Sequence, residues 1–268
     1  MSYTLNLSSA WAKLKRGKTH IDSLKIEIEK VYANGSPITL RREYEPKNRA
    51  IVIRIESVVD IPDHWSLVVG DAVHNIRCAL DHLAWQLALR HFDGIEPTNR
   101  AVIKSIHFPV VIEESKWRDS VHNQWMDGAD ANKLKRFQPF NLGPQSRAKG
   151  VRHPFEIFCG FDGIDNIDKH RSIHLTYIAP RLKSFASESV YTFHECYPVD
   201  GSVEIGMSGF PTNPGDEVAR VSVVPSGPDP DVDFETCLAG YVAMGERWDV
   251  IKALDAFADG TEQVLRLF

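Results

Sequence analysis

Apolar residues recur at helical spacing over Ser8–Ala33, where Ala10, Leu14, Ile21, Leu24, Ile28 and Val31 form a stripe. Ser8 or Ser9 is the expected cap, and Asn34-Gly35-Ser36-Pro37 ends the helix. Two β-branched runs follow, Ile38–Glu45 and Ala50–Val59, joined by Pro46-Lys47-Asn48-Arg49, which suits a hairpin turn. Ile61-Pro62-Asp63 then opens a long helix over about residues 63–92, with Asp63 as its expected N-cap. Beyond it the pattern predicts a strand at Ile106–Ile112, short helices at Glu114–Gln124 and Asp130–Phe137, and a loop at Asn141–Gly150. Further helices are expected at Pro154–Gly160 and Ile164–Leu175. Strands are expected at Val190–Tyr197, Ser202–Gly206, Glu217–Val224 and Val232–Val242, and a last helix at Asp249–Leu267. Helix and strand runs are partly segregated, which predicts an α+β fold. It has an N-terminal helical part with an inserted β-hairpin, a later, mostly antiparallel sheet, and a closing C-terminal helix. The expectation is one domain over 1–268, with a helical half of about 1–176, a strand-rich half of about 177–245 and the helix at 249–267.

The long helix has two faces. On a wheel of about 100° per residue, Val69, Val73, Ile76, Leu80, Leu83 and Leu87 cluster as a core-facing stripe. Asp71, His74, Arg77, Asp81 and His82 share the other side. Leu67, Cys78 and Trp85 lie in the middle of that polar side, which predicts that another element covers it. Covered charges need partners, because an unpaired buried charge is costly. Arg77 and Asp81 stand four residues apart, at ion-pair spacing.

A second cluster runs from Asp165 to His174. Read as a helix, it places Asn166, His170 and His174 on one side, and His170 and His174 have the spacing of paired metal ligands. No glutamate follows the first histidine, so it is not an H-E-x-x-H site.

Composition narrows the field. The net charge of −5 argues against a general polyanion binder. Residues 1–60 nonetheless hold eleven Lys/Arg against seven Asp/Glu, a net +4, and residues 200–268 hold four against thirteen, a net −9. Cys78, Cys159, Cys196 and Cys237 form no C-x-x-C pair and read as reduced, mostly buried thiols. No window approaches the roughly 18 apolar residues of a membrane span, and Met1-Ser-Tyr-Thr-Leu-Asn carries no secretion pattern. The expectation is therefore a cytoplasmic protein with no membrane partner. There is no P-loop, G-x-G-x-x-G or G-x-S-x-G. Trp117 and Trp125 read as core packing before ligand stacking.

The run Gly70-Asp71-x-x-His74-Asn75-x-Arg77-x-x-Leu80-Asp81-His82 resembles a signature of uncharacterised bacterial proteins, accompanied by Asp168-Lys169-His170. That resemblance implies no activity. Inside it, Arg77-x4-His82 resembles the R-x4–6-H motif of the HEPN superfamily, helical domains that include many metal-independent ribonucleases. The resemblance implies Arg77 and His82 as a catalytic pair, RNA or a nucleotide as the partner, no cofactor, and a homodimer. Histidine can move a proton near neutral pH, and arginine can stabilise phosphoryl charge. The residue after the arginine is Cys78, where the family usually has a polar one.

Three readings follow. One is a metal-independent nuclease or nucleotide-binding protein using Arg77 and His82, with His74, Asp81, Lys169 and His170. The second is a metal-dependent hydrolase or metal-binding protein, with ligands among His74, Asp81, His82, Asp165, His170 and His174. The third is a non-enzymatic interaction protein with a buried polar network. Whether the 74–82 face meets the 165–174 segment separates them.

Overall fold

The computed structural model describes residues 3–148, 152–159, 163–168, 173–178, 191–205, 212–234, 241–244 and 248–268. In chain order its elements are α1 (Ser8–Ala33), β1 (Ile38–Glu45), β2 (Ala50–Val58), α2 (His64–His91), α3 (Arg100–Ser105), α4 (Gly128–Lys135), α5 (Pro144–Ala148), α6 (Pro154–Cys159) and α7 (Ile164–Asp168). There follow β3 (Leu175–Ile178), β4 (Tyr191–His194), β5 (Cys196–Ile205), β6 (Glu217–Pro225), β7 (Asp231–Phe234), β8 (Tyr241–Met244), β9 (Trp248–Asp249) and α8 (Val250–Leu265). The fold class is α+β, and the strand pairs are antiparallel.

The chain divides into two compact units. The first takes Met1–Ile26, Asp63–Ile173 and Ile251–Phe268; the second takes Glu27–Pro62 and His174–Val250.

The first unit is helical and is built on α2. The stripe read from the sequence is its core: Val69, Val73, Ile76, Leu80, Leu83 and Leu87 are all fully buried. On α1, Gly17 faces α2 so closely that a Cβ there would lie 2.5 Å from Ile76 Cγ1. Phe108, Phe155, Phe158 and Phe257 are also fully buried. Phe158 stacks on Phe257 with ring centroids 4.7 Å apart, and Phe108 meets Phe155 edge-on at 5.4 Å. The closing helix is tied to α1 by Lys18–Glu262 at 2.5 Å and Lys25–Asp255 at 2.9 Å. Trp125 is fully buried and Trp117 nearly so, as core packing requires.

The second unit holds a four-stranded sheet in the order β1-β2-β6-β5. The expected hairpin therefore pairs with the later strands. β2 lies inside this sheet, and its Ala50–Ile53 run is buried at every position, as an interior strand allows. Ile51, Cys196, Val221, Val223 and Val232 form its core, with Tyr44 and Phe193 against them. Arg49 closes the hairpin turn at φ 47°, and its N–H donates to the Pro46 carbonyl. Two small sheets, β3-β8-β9 and β4-β7, complete the unit.

Several local expectations are corrected. Asn6, rather than Ser8 or Ser9, caps α1: its Oδ1 accepts the Ser8 N–H at 3.1 Å. Asp63 is itself helical (φ −53°, ψ −35°) and makes no side-chain cap. Residues 106–112 form no strand. Pro109 has no N–H to give, the Phe108 backbone is bonded to α2 side chains, and the Val111 N–H donates to Gln138 Oε1 at 2.9 Å. Residues 114–124 hold only short 3-10 turns, Glu114–Lys116 and Val121–Gln124. Part of the expected loop at 141–150 is α5, and α3 is a further helix beyond those expected. The expected helix 164–175 is described as helix only to Asp168, and Leu175 starts β3. His174 is therefore not on a helix with Asp165.

Candidate functional site

The polar side of α2 faces other parts of the first unit. It packs against α7 and α6, so the segment beginning at Asp165 does meet the 74–82 face. Gly70 is what permits the approach: a Cβ there would sit 2.5 Å from the carboxylate oxygens of Asp168.

Arg77 and Asp81 form a clamp on one loop residue. Arg77 Nε donates to Asp81 Oδ2 at 3.1 Å, and Nη2 lies 3.1 Å from Oδ1. Nη2 also donates to the Phe108 carbonyl at 3.1 Å, while Asp81 Oδ1 accepts the Phe108 N–H at 2.8 Å. A loop residue with no strand partner thus has both backbone polar groups satisfied by one helix. The Arg77 side chain is only 13% exposed. Burial works against its charge, but the neighbouring Cys159 sulfur and Asp81 outweigh it, and the guanidinium holds its proton more tightly than usual. Nη1 is buried with no hydrogen-bond partner among the described residues.

Cys159, at the end of α6, responds in the opposite sense. Burial pushes its thiol up to about 11, against the downward pull of Arg77, so it stays protonated at neutral pH. His107, beside the clamp, is drawn below its ordinary value by burial and then by the charge of Arg77.

One turn towards the N-terminus of α2 the groups are more open. The His74 side chain is 55% exposed. Its Nε2 lies 3.5 Å from Cys78 Sγ, one helical turn on, and its Nδ1 lies 3.7 Å from Oδ1 of Asp165, which is only 10% exposed. Sulfur and carboxylate therefore approach opposite edges of one imidazole. A proton on Nδ1, held towards Asp165, leaves the Nε2 lone pair towards the thiol. The groups stand in line, each touching the next, rather than converging on a point. Among the described residues no group of three or more His, Cys, Asp or Glu is arranged to hold a metal ion.

The expected site residues thus fall into separate sets. His74 is joined to Asp165, and Arg77 to Asp81. His82, five residues from Arg77 and so about 140° around the helix, makes no hydrogen bond or ion pair to it among the described residues. Its Nδ1 is buried and has no partner there. Lys169 and His170 lie outside the described residues, so the expected His170–His174 pairing does too.

The expected cover over the α2 face is also partial. Leu67 is 67% exposed, so among the described residues nothing closes over it. Cys78 and Cys159 are half-buried and Cys196 is buried, while Cys237 lies outside the described residues. The sequence reads Cys78 as a reduced, mostly buried thiol, and the structure leaves it half-buried. The His74-x3-Cys78 spacing already puts both side chains on one stripe of the helix.

No helix among the described residues is long and apolar enough to cross a membrane. No protein-family model matches this chain, and no curated protein or solved structure matches it either.

Proposed function

We propose that this chain is an enzyme that transfers protons at the α2 face without a metal. His74 is the proton carrier and Asp165 the carboxylate that orients it. The observation that carries this reading is a mostly buried carboxylate set against Nδ1 of an imidazole that is otherwise open to solvent. A carboxylate behind an accessible imidazole is the arrangement that orients a histidine as a general base. Arg77 and Asp81 serve as the scaffold, because the guanidinium is committed to Asp81 and Phe108.

The test is hydrolysis in EDTA of three probes: an RNA oligonucleotide, bis-p-nitrophenyl phosphate and p-nitrophenyl acetate. Wild-type protein should turn over at least one of them. His74→Ala should lower that rate by about a hundredfold or more, the usual weight of a positioned general base. Turnover that is absent, or that is equal in wild type and His74→Ala, would end this reading.

A second reading keeps the HEPN-like assignment, with RNA or a nucleotide as substrate and a homodimer as the working form. It is favoured by Arg77 Nη1 and His82 Nδ1, two buried nitrogens without partners among the described residues. Such atoms call for an explanation; the Arg77 guanidinium already meets the Cys159 sulfur, and a phosphate oxygen admitted by an opening of this face would supply a partner for Nη1. Under this reading RNA is the probe turned over, and His82→Ala abolishes cleavage while His74→Ala does not.

A further inference from the structure

We propose that Cys78 is a nucleophilic thiol, served by His74 and Asp165, that accepts an acyl group from an uncharged ester or thioester. This rests on the reading of His74 as the proton carrier and adds the nucleophile and the substrate class.

The geometry supplies each part. Cys78 Sγ is 3.5 Å from His74 Nε2, and His74 Nδ1 is 3.7 Å from Asp165 Oδ1. Nucleophile, base and orienting carboxylate are therefore in sequence, which is how a hydroxyl or thiol is activated on many unrelated folds. Such contacts are often long before substrate binds. The sulfur is half-buried and the imidazole more than half exposed, so a small electrophile has access. Cys159, also half-buried, is the internal contrast: its thiol is pushed up to about 11, and it has no histidine contact among the described residues.

The surroundings choose the electrophile. Leu67, Asp71, His74 and Cys78 fall within about 60° of one another on the helix. Leu67 and Asp71 are both exposed. An open leucine suits an apolar acyl substituent. The Asp165 carboxylate at His74, with Asp71 on the same stripe of the helix, disfavours a phosphodiester anion.

In the reaction, the Cys78 S–H proton passes to His74 Nε2 and the sulfur attacks the acyl carbon, forming a C–S bond. The bond to the leaving alcohol or thiol breaks, and the leaving group departs with the proton from Nε2. Water then attacks the thioester, giving a proton to His74. The C–S bond breaks, the acid is released, and Cys78 regains its proton.

The experiment is alkylation by iodoacetamide from pH 5 to 9, followed peptide by peptide by mass spectrometry, on wild type, His74→Ala, His74→Gln and Asp165→Asn. Circular dichroism melts establish that each variant is folded. At pH 7, Cys78 should be alkylated about tenfold faster in wild type than in either His74 variant, with Asp165→Asn between them. Treatment with p-nitrophenyl acetate should leave an acetyl group on Cys78 of wild type, and the Cys78→Ser protein should show no thioester. Equal alkylation rates in wild type and folded His74 variants would overturn the thiol assignment, as would acetylation confined to other residues. If His74→Ala still suppressed hydrolysis of another probe, the proton carrier would stand without the thiol. If it changed neither rate, both would fall.

Discussion

Asp81 accepts the backbone N–H of Phe108 at 2.8 Å. The arginine paired with that carboxylate closes the same residue from its carbonyl side at 3.1 Å. The pair therefore acts on the fold as well as on itself, since it stands in for the strand partner that residues 106–112 lack.

Removing the carboxylate should be costly. Asp81→Ala would leave a mostly buried guanidinium without its counter-charge and the Phe108 N–H without an acceptor. The expected loss is about 2–4 kcal/mol, set by the price of an uncompensated buried charge and reduced for the partial exposure of Asp81. Urea unfolding of the variant measures it; a loss below about 0.5 kcal/mol would mean that the clamp contributes no support.

Gly17→Ala tests the α1–α2 contact. Alanine is intrinsically the better helix former by about 1 kcal/mol. Here its Cβ would lie 2.5 Å from Ile76 Cγ1 and 3.1 Å from the Ala72 carbonyl. Overpacking costs about 1–3 kcal/mol, so the net effect should be destabilising. A raised melting temperature would show that the two helices can separate without penalty.

His122 makes stability depend on pH. Its ring is fully buried with neither nitrogen bonded among the described residues, packs against Trp117 at a centroid distance of 4.1 Å, and is pushed down to about 4 by burial. The folded protein thus favours the neutral ring more than the unfolded chain does. Its contribution is fully present above the unfolded value of about 6.5 and is lost as pH falls towards about 4. Over that window stability should drop by roughly 2 kcal/mol more in wild type than in His122→Phe, as read from urea unfolding at several pH values. Parallel pH profiles for the two proteins would remove this role from His122.

Cys159 should be slow to react in the native protein. With its thiol pushed up to about 11, only a trace is thiolate at pH 7.5, and thiolate is the reactive form. Peptide mapping after brief iodoacetamide treatment should find Cys159 unlabelled until denaturant is added. Labelling as fast as an exposed thiol would mean that the thiol is not held protonated.

Periodicity by itself determined the long helices, the apolar stripe of α2 from Val69 to Leu87, the hairpin and the antiparallel strands, because burial of one face is written into residue spacing. It also marked His74, Arg77 and Asp81 as sharing one side of α2, a consequence of helical geometry alone. Only the tertiary structure decided what that side meets. That Asp165 reaches His74, that Asp168 lies over Gly70, and that Phe108 lends its backbone to Arg77 and Asp81 depend on segments 27 to 98 residues away in the chain. Local pattern carries no record of which distant loop folds onto a helix face. For the same reason residues 106–112 read as a strand although their backbone bonds go to side chains, and nothing in the local pattern shows that Asp165 comes to the far edge of the His74 ring that meets Cys78.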